Sequence, residues 1–191
     1  MKCIELFFVG RTNAGKSTVI KELFGLKTRT GKNPGVTKVA VRYELGDLIV
    51  TDLPGIGFRR GLISFQSMLR DITENIRDKR QQPRLAVQII DAKSFLKIIE
   101  RHSRPLDIDL FEYLLDREID PIVAINKMDK IEAHEANLNN IVSQLGMLPP
   151  YRQWIDRVVP ISAKKHDVSG LRWLINYRIQ NLREIDETAT T

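Results

Sequence analysis

The order of apolar segments predicts an α/β domain: a six-stranded, mostly parallel sheet with one antiparallel hairpin strand and helices on both faces. Three observations carry this reading. Six short apolar runs recur along the chain, longer amphipathic runs separate most of them, and no linker divides the 191 residues into two units. A chain of this length is expected to form one domain, here 1–185, burying roughly 70% of the surface its unfolded form exposes. Its 42% hydrophobic and 28% charged content excludes a wholly disordered chain.

The strands are expected at 4–9, 39–45, 48–51, 85–90, 122–125 and 158–161, where β-branched and aromatic residues cluster. Gly46-Asp47 is a tight-turn dipeptide, so the second and third strands form the antiparallel hairpin. Helical periodicity fits 16–24, 64–80, 108–117, 133–145 and 171–185, with Asp107 and Ser169 as N-caps of the third and fifth. Residues 186–191 are polar and are expected to fray.

No stretch suits a membrane. The longest run without charge, 136–151, contains three Asn, one Gln and two Pro in 16 residues, too short and too polar for about 30 Å of lipid. Glu5 interrupts the apolar N-terminus, and no small-residue cleavage site follows. A single cysteine, Cys3, excludes an internal disulfide framework and fits the cytoplasm. The net charge is +6, unevenly spread: 57–105 carry +6 and 106–140 carry −6. Ordinary solvated helix faces explain this, and a polyanionic partner such as RNA is the alternative.

The decisive segment is Gly10-Arg11-Thr12-Asn13-Ala14-Gly15-Lys16-Ser17, followed by Thr18. It matches G-x-x-x-x-G-K-[ST] between an apolar strand and a helix, where backbone N–H groups and the helix N-terminus converge on phosphate. Lys16 would reach the β- and γ-phosphates, and the Ser17 hydroxyl would ligate Mg²⁺. Asn126-Lys127-Met128-Asp129 names the base, because a carboxylate accepts from both N1–H and the 2-amino group of guanine, a donor pair adenine lacks. Asp52-Leu53-Pro54-Gly55 follows the third strand. Asp52 would hold a water of the Mg²⁺ shell, and the Gly55 N–H would meet the γ-phosphate. Thr37, in Pro34-Gly35-Val36-Thr37, lies in the loop where a switch threonine closes on Mg²⁺. Ser162-Ala163-Lys164 follows the last strand and could present the Ala163 N–H to guanine O6. Lys16, Thr37 and Gly55 are thus the candidate catalytic groups. His102, His134 and His166 are too scattered for a metal site, and Trp154 and Trp173 are expected to fill the core or a groove and not to anchor a partner.

These five boxes together (GRTNAGKS, PGVT, DLPG, NKMD and SAK) resemble a Ras-like P-loop GTPase domain of the TrmE-Era-EngA-EngB-Septin class. GRTNAGKS, DLPGIGF and the chain's size are similar to the EngB family, along essentially the whole chain. Ile56 and Phe58 stand where the common bacterial form has tyrosines, and the loop after Thr37 also differs, which marks an archaeal-type or divergent member. The resemblance implies a GTP/GDP switch acting in large ribosomal subunit assembly and in cell division and septation, with no membrane or DNA partner. Ile56 occupies the place where Ras-type enzymes carry a water-orienting glutamine. Slow intrinsic hydrolysis is therefore expected, with acceleration from a K⁺ ion ligated by Asn13, from Arg59 or Arg60, or from a partner. Two rivals remain at this level: a nucleotide-gated binding module with negligible turnover, and a P-loop kinase.

Overall fold

The computed structural model describes residues 3–26, 40–57 and 84–188. Their backbone builds one six-stranded sheet: β1 (Ile4–Gly10), β2 (Val41–Leu45), β3 (Leu48–Asp52), β4 (Arg84–Asp91), β5 (Ile122–Asn126) and β6 (Val158–Pro160), in the spatial order β2-β3-β1-β4-β5-β6. Every neighbouring pair is parallel except β2–β3, which pairs Leu45 with Leu48 across Gly46-Asp47. Gly46 has φ 65°, the conformation a two-residue hairpin turn demands.

All seven residues of β1 and all five of β5 are buried, because helices cover both faces of the sheet. Alternation assigns the side chains. Ile4, Leu6 and Phe8 of β1 and Ile122 and Ala124 of β5 face α1 (Lys16–Phe24) and α5 (Ser169–Thr188) in one core. Val123 and Ile125 point the other way, against α2 (Ala92–Glu100), α3 (Leu106–Asp116) and α4 (His134–Gln144). Phe7 and Val9 share that second face with Leu110 and Leu114 of α3.

Several expectations change. Helix α2 was not expected; its sequence AKSFLKIIE turns Ala92, Phe95 and Leu96 to the core at helical spacing, but it follows the apolar strand β4 with no intervening residue to mark the boundary. Helix α3 begins one turn's edge earlier than its periodicity suggests. Pro105 holds the N-cap position, and Asp107 lies inside the first turn, buried, instead of capping. Ser169 is likewise the first residue of α5 and not its cap, and α5 runs to Thr188, past the boundary at 185. Trp173 is 61% exposed and stacks on Tyr177, since Leu171, Leu174, Ile175 and Ile179 take the core-facing stripe of α5. Trp154 packs partly buried against the second core. The expected helix at 64–80, the loop holding Gly35, Val36 and Thr37, and Arg59 and Arg60 lie outside the described residues. Among those described, no helix is long and apolar enough to cross a membrane.

Candidate functional site: loops at the carboxyl edge of the sheet

β1 ends at Gly10, where a Cβ would lie 2.3 Å from the Ile89 carbonyl oxygen; only glycine lets β1 and β4 stay in register as the chain turns. At Gly15, with φ 102°, a Cβ would fall 2.4 Å from Asn126 Nδ2. Between them the loop wraps over the N-terminus of α1, an arrangement of N–H donors and helix dipole suited to an anion. Asn13 itself takes φ 65° and its side chain is exposed. Thr18 lies half-buried in the first turn of α1.

Lys16 is only 7% exposed. Its ammonium donates to the carbonyls of Gly10 (3.0 Å) and Arg11 (3.2 Å). Burial lowers its pKa to about 8, although the carboxylates of Asp52 and Asp107 pull the other way. A depressed amine pKa means that the buried charge costs the fold stability below pH 8, a cost relieved as pH rises toward 10.5. The residue remains a cation at neutral pH.

Ser17 Oγ donates to Asp52 Oδ2 at 2.8 Å. Asp52 Oδ1 is buried and has no hydrogen-bond partner among the described residues. Burial raises the pKa of this carboxyl, with the Ser17 hydrogen bond and the Lys16 charge opposing the rise. A hydroxyl and an under-satisfied carboxylate are hard oxygen donors, the set that Mg²⁺ and its shell waters prefer, so these residues fit that ion. Beyond Asp52, Leu53 is buried and the half-buried Pro54-Gly55 crosses the phosphate loop. Thr12 N–H donates to Ile56 O (2.7 Å), Ile56 N–H to Gly10 O (3.1 Å) and Thr12 Oγ1 to Gly55 O (3.1 Å). The Ile56 side chain is 1% exposed, packed in the core with Phe7, Leu53 and Leu110. It is a packing residue and cannot orient a water.

From β5, Asn126 joins three loops: its Nδ2 donates to Ala14 O (2.9 Å) and its Oδ1 accepts from Ala163 N–H (3.2 Å). Lys127, at φ 66°, donates through Nζ to Asn13 O (2.7 Å) and to Asp91 Oδ2. Met128 is buried and its N–H meets Ile161 O. Asp129 is exposed, and its Oδ1 accepts from Ser162 Oγ (2.9 Å) while its own N–H donates to that oxygen. Asp129, Ser162 and Lys165 help to line a cavity of about 370 Å³; Lys164 is exposed beside them. The Ala163 N–H, expected to face guanine O6, is satisfied here by Asn126.

Two residues escaped sequence reasoning. Asp91 closes β4 level with Asn126, caps α2 by accepting from Ser94 N–H (3.1 Å) and holds Lys127. Burial alone would push its carboxyl up; the bonds from Lys127 and Ser94 overcome this and leave it below the usual carboxylate range. Asp107 is 1% exposed and pairs with Arg11. A lone aspartate ending an apolar strand, or sitting inside a helix turn, carries no distinguishing pattern. His102, His134 and His166 are all exposed.

The Gly10–Ser17 loop, the acidic end of β3 and the loops after β5 and β6 thus converge on the carboxyl edge of a parallel sheet, where open α/β folds bind ligands. That assembly is a Ras-like P-loop GTPase. The chain matches the family model described as 50S ribosome-binding GTPase over residues 5–127. It is 40% identical to a probable GTP-binding protein EngB of Methanosarcina mazei, over 96% of this chain and 91% of that one. It is also 40% identical to the probable EngB of Archaeoglobus fulgidus, over 90% of each. A crystal structure of a probable GTP-binding protein EngB superposes with TM-score 0.75 at 32% identity, covering 94% of this chain and 99% of that one. The chain belongs to the EngB family of GTP-binding proteins. Membership removes the kinase reading.

Lys16 generates a thermodynamic prediction. At pH 8 an ammonium with a pKa near 8 is half-protonated, and the phosphates of a bound nucleotide will complete its protonation. Calorimetry of GDP binding at pH 8, in buffers differing in ionisation enthalpy, should report uptake of about half a proton per nucleotide. Lys16→Arg, cationic throughout, should abolish the uptake.

Proposed function

We propose that this GTPase is a slow molecular switch, with the roles of its residues as follows. The loop from Gly10 to Thr18, through backbone N–H groups not spent within it, binds the phosphates together with Lys16. Asp129, oriented by Ser162, reads guanine; Lys127 and Met128 shape the same loop, and Ala163 and Lys164 flank the base. Ser17, Thr37 and Asp52, the last through water, hold Mg²⁺, which when bound neutralises charge on the β- and γ-phosphates. Gly35 and Val36 carry Thr37 into place, and Leu53 and Pro54 bring the Gly55 N–H to the γ-phosphate. The observation that carries guanine recognition is the Asn126 side chain, which locks the base loop onto the phosphate loop and onto Ala163.

Burial of Ile56 supports a low intrinsic rate, and it also favours the second reading, a nucleotide-gated binding module with negligible turnover. Asn13 supports acceleration by K⁺: its side chain is exposed in the phosphate loop. A monovalent cation there would offset charge developing in the transition state, as an arginine finger does. The description of the family as 50S ribosome-binding supports a role on the large ribosomal subunit or its RNA, in the cytoplasm. Action in cell division and septation is proposed by likeness to the family alone.

Three measurements test this. Asp129→Asn should shift preference from GTP toward xanthosine triphosphate, because an acceptor carboxylate becomes an amide; an unchanged affinity ratio would remove Asp129 from base recognition. Replacing K⁺ by Na⁺ at constant ionic strength should slow single-turnover hydrolysis and leave GDP affinity nearly unchanged, and Asn13→Ala should erase the difference; equal wild-type rates in both salts would assign acceleration to Arg59, Arg60 or a partner. Co-sedimentation with large ribosomal subunits should require the GTP state and weaken steeply with salt through counterion release. Binding indifferent to both would reduce the +6 stretch at 57–105 to a solvated surface.

A further inference from the structure

Asp107 is a buried carboxylate that nucleotide chemistry does not use. Its side chain lies in the first turn of α3, 1% exposed, and its Oδ1 has no hydrogen-bond partner among the described residues. The compensating cation is Arg11, whose Nη1 stands 3.6 Å from Oδ2. Gln88, fully buried in β4, donates to the Asp107 carbonyl at 2.7 Å and ties this turn to the sheet. An ionised carboxylate so poorly satisfied is costly to bury, and burial does push its pKa up to about 6. Asp91 opposes its charge, while Lys16 is attracted to it from the phosphate loop.

The position of Arg11 gives this arrangement a use. Its backbone is the bridge residue that pairs with Ile56, and its carbonyl accepts from Ala14 N–H and Lys16 Nζ. The segment Gly55–Gly57 lies flush on Thr12: a Cβ at Gly55 would sit 2.8 Å from Thr12 Cα, and one at Gly57 would sit 2.8 Å from Thr12 Oγ1. Among the described residues, the hydrogen bonds joining that segment to the phosphate loop are made by Gly10 and Thr12, the two chain neighbours of Arg11. The rest of the loop has other anchors, from Asn126 to Ala14 and from Lys127 to Asn13. Displacing Arg11 therefore acts on Gly55–Gly57 through both of its chain neighbours, while Asn126 and Lys127 keep the far side of the phosphate loop in place.

We propose that Asp107 is a positioning residue which, through Arg11, holds Gly55–Gly57 in register against the phosphate loop and so sets the γ-phosphate contact of the Gly55 N–H. The inference rests on the role proposed above for that N–H. Through Gln88 and the first turn of α3, it also makes the orientation of α3 a determinant of how well the triphosphate is sensed.

The test compares affinities for GDP and for a non-hydrolysable GTP analogue in Asp107→Asn, Arg11→Met and the double variant, with melting temperatures alongside. Each single variant should lower the analogue-to-GDP affinity ratio about fivefold or more, and the double variant should lower it no further, because the two residues act as one unit. Equal losses for both nucleotides would mean general damage to the loop. A lower melting temperature with an unmoved ratio would mean a structural ion pair. Losses that multiply in the double variant would mean independent roles. Any of these three overturns the proposal. Arg11→Met, at a partly exposed side chain, keeps the test open should Asp107→Asn fold poorly. Absence of wild-type hydrolysis would overturn the switch reading alone, since the binding ratio needs no turnover.

Discussion

The side-chain amide of Asn126 is the contact on which the site depends. It spends its donor on the phosphate loop and its acceptor on the segment after β6, so one planar group ties its own loop to two others, 112 and 37 residues away in sequence. This works because Gly15 has no side chain: a Cβ there would occupy the space of Asn126 Nδ2. Glycine at that position is thus required twice, by its backbone conformation and by its neighbour. Lys127 repeats the logic one residue later, bridging Asn13 and Asp91. The loop after β5 and the loop after β1 are mechanically one unit.

Charge is arranged along this edge with unequal satisfaction. Lys16 and Asp52 are buried, and each has its charged form disfavoured by desolvation. Their imperfect satisfaction suits a site whose ligand brings its own charges: phosphates complete the surroundings of an ammonium, and a hard cation those of a carboxylate. Asp91, by contrast, has enough donors to remain readily ionised despite burial. It serves as scaffold, fixing the lysine beside it.

The hydrophobic core reaches into the site at Ile56. A polar residue there would have to leave the cluster of Phe7, Leu53 and Leu110, so its packing role and the absence of a water-orienting group are the same fact.

Much of this was legible in order along the chain. Glycines and lysine at fixed spacing in the phosphate loop, the Asp-x-x-Gly turn and the Asn-Lys-x-Asp box are local signals, because each needs its residue types contiguous for the backbone to cradle phosphate or the carboxylate to meet the base. The six apolar runs and the Gly46-Asp47 hairpin are local for the same reason, and helix α2, although Ala92, Phe95 and Leu96 stand at helical spacing, was missed because it continues directly from the apolar strand β4. Sequence alone determined which residue types stand together in each loop. Tertiary structure decided which loops hold one another: that Ser162 orients Asp129, that Ala163 N–H is spent on Asn126, that Asp91 carries Lys127, that Trp173 faces outward, and that Asp107 turns inward to Arg11. Those outcomes depend on parallel strand register and on helices packed across the sheet, which bring together residues that no local pattern relates.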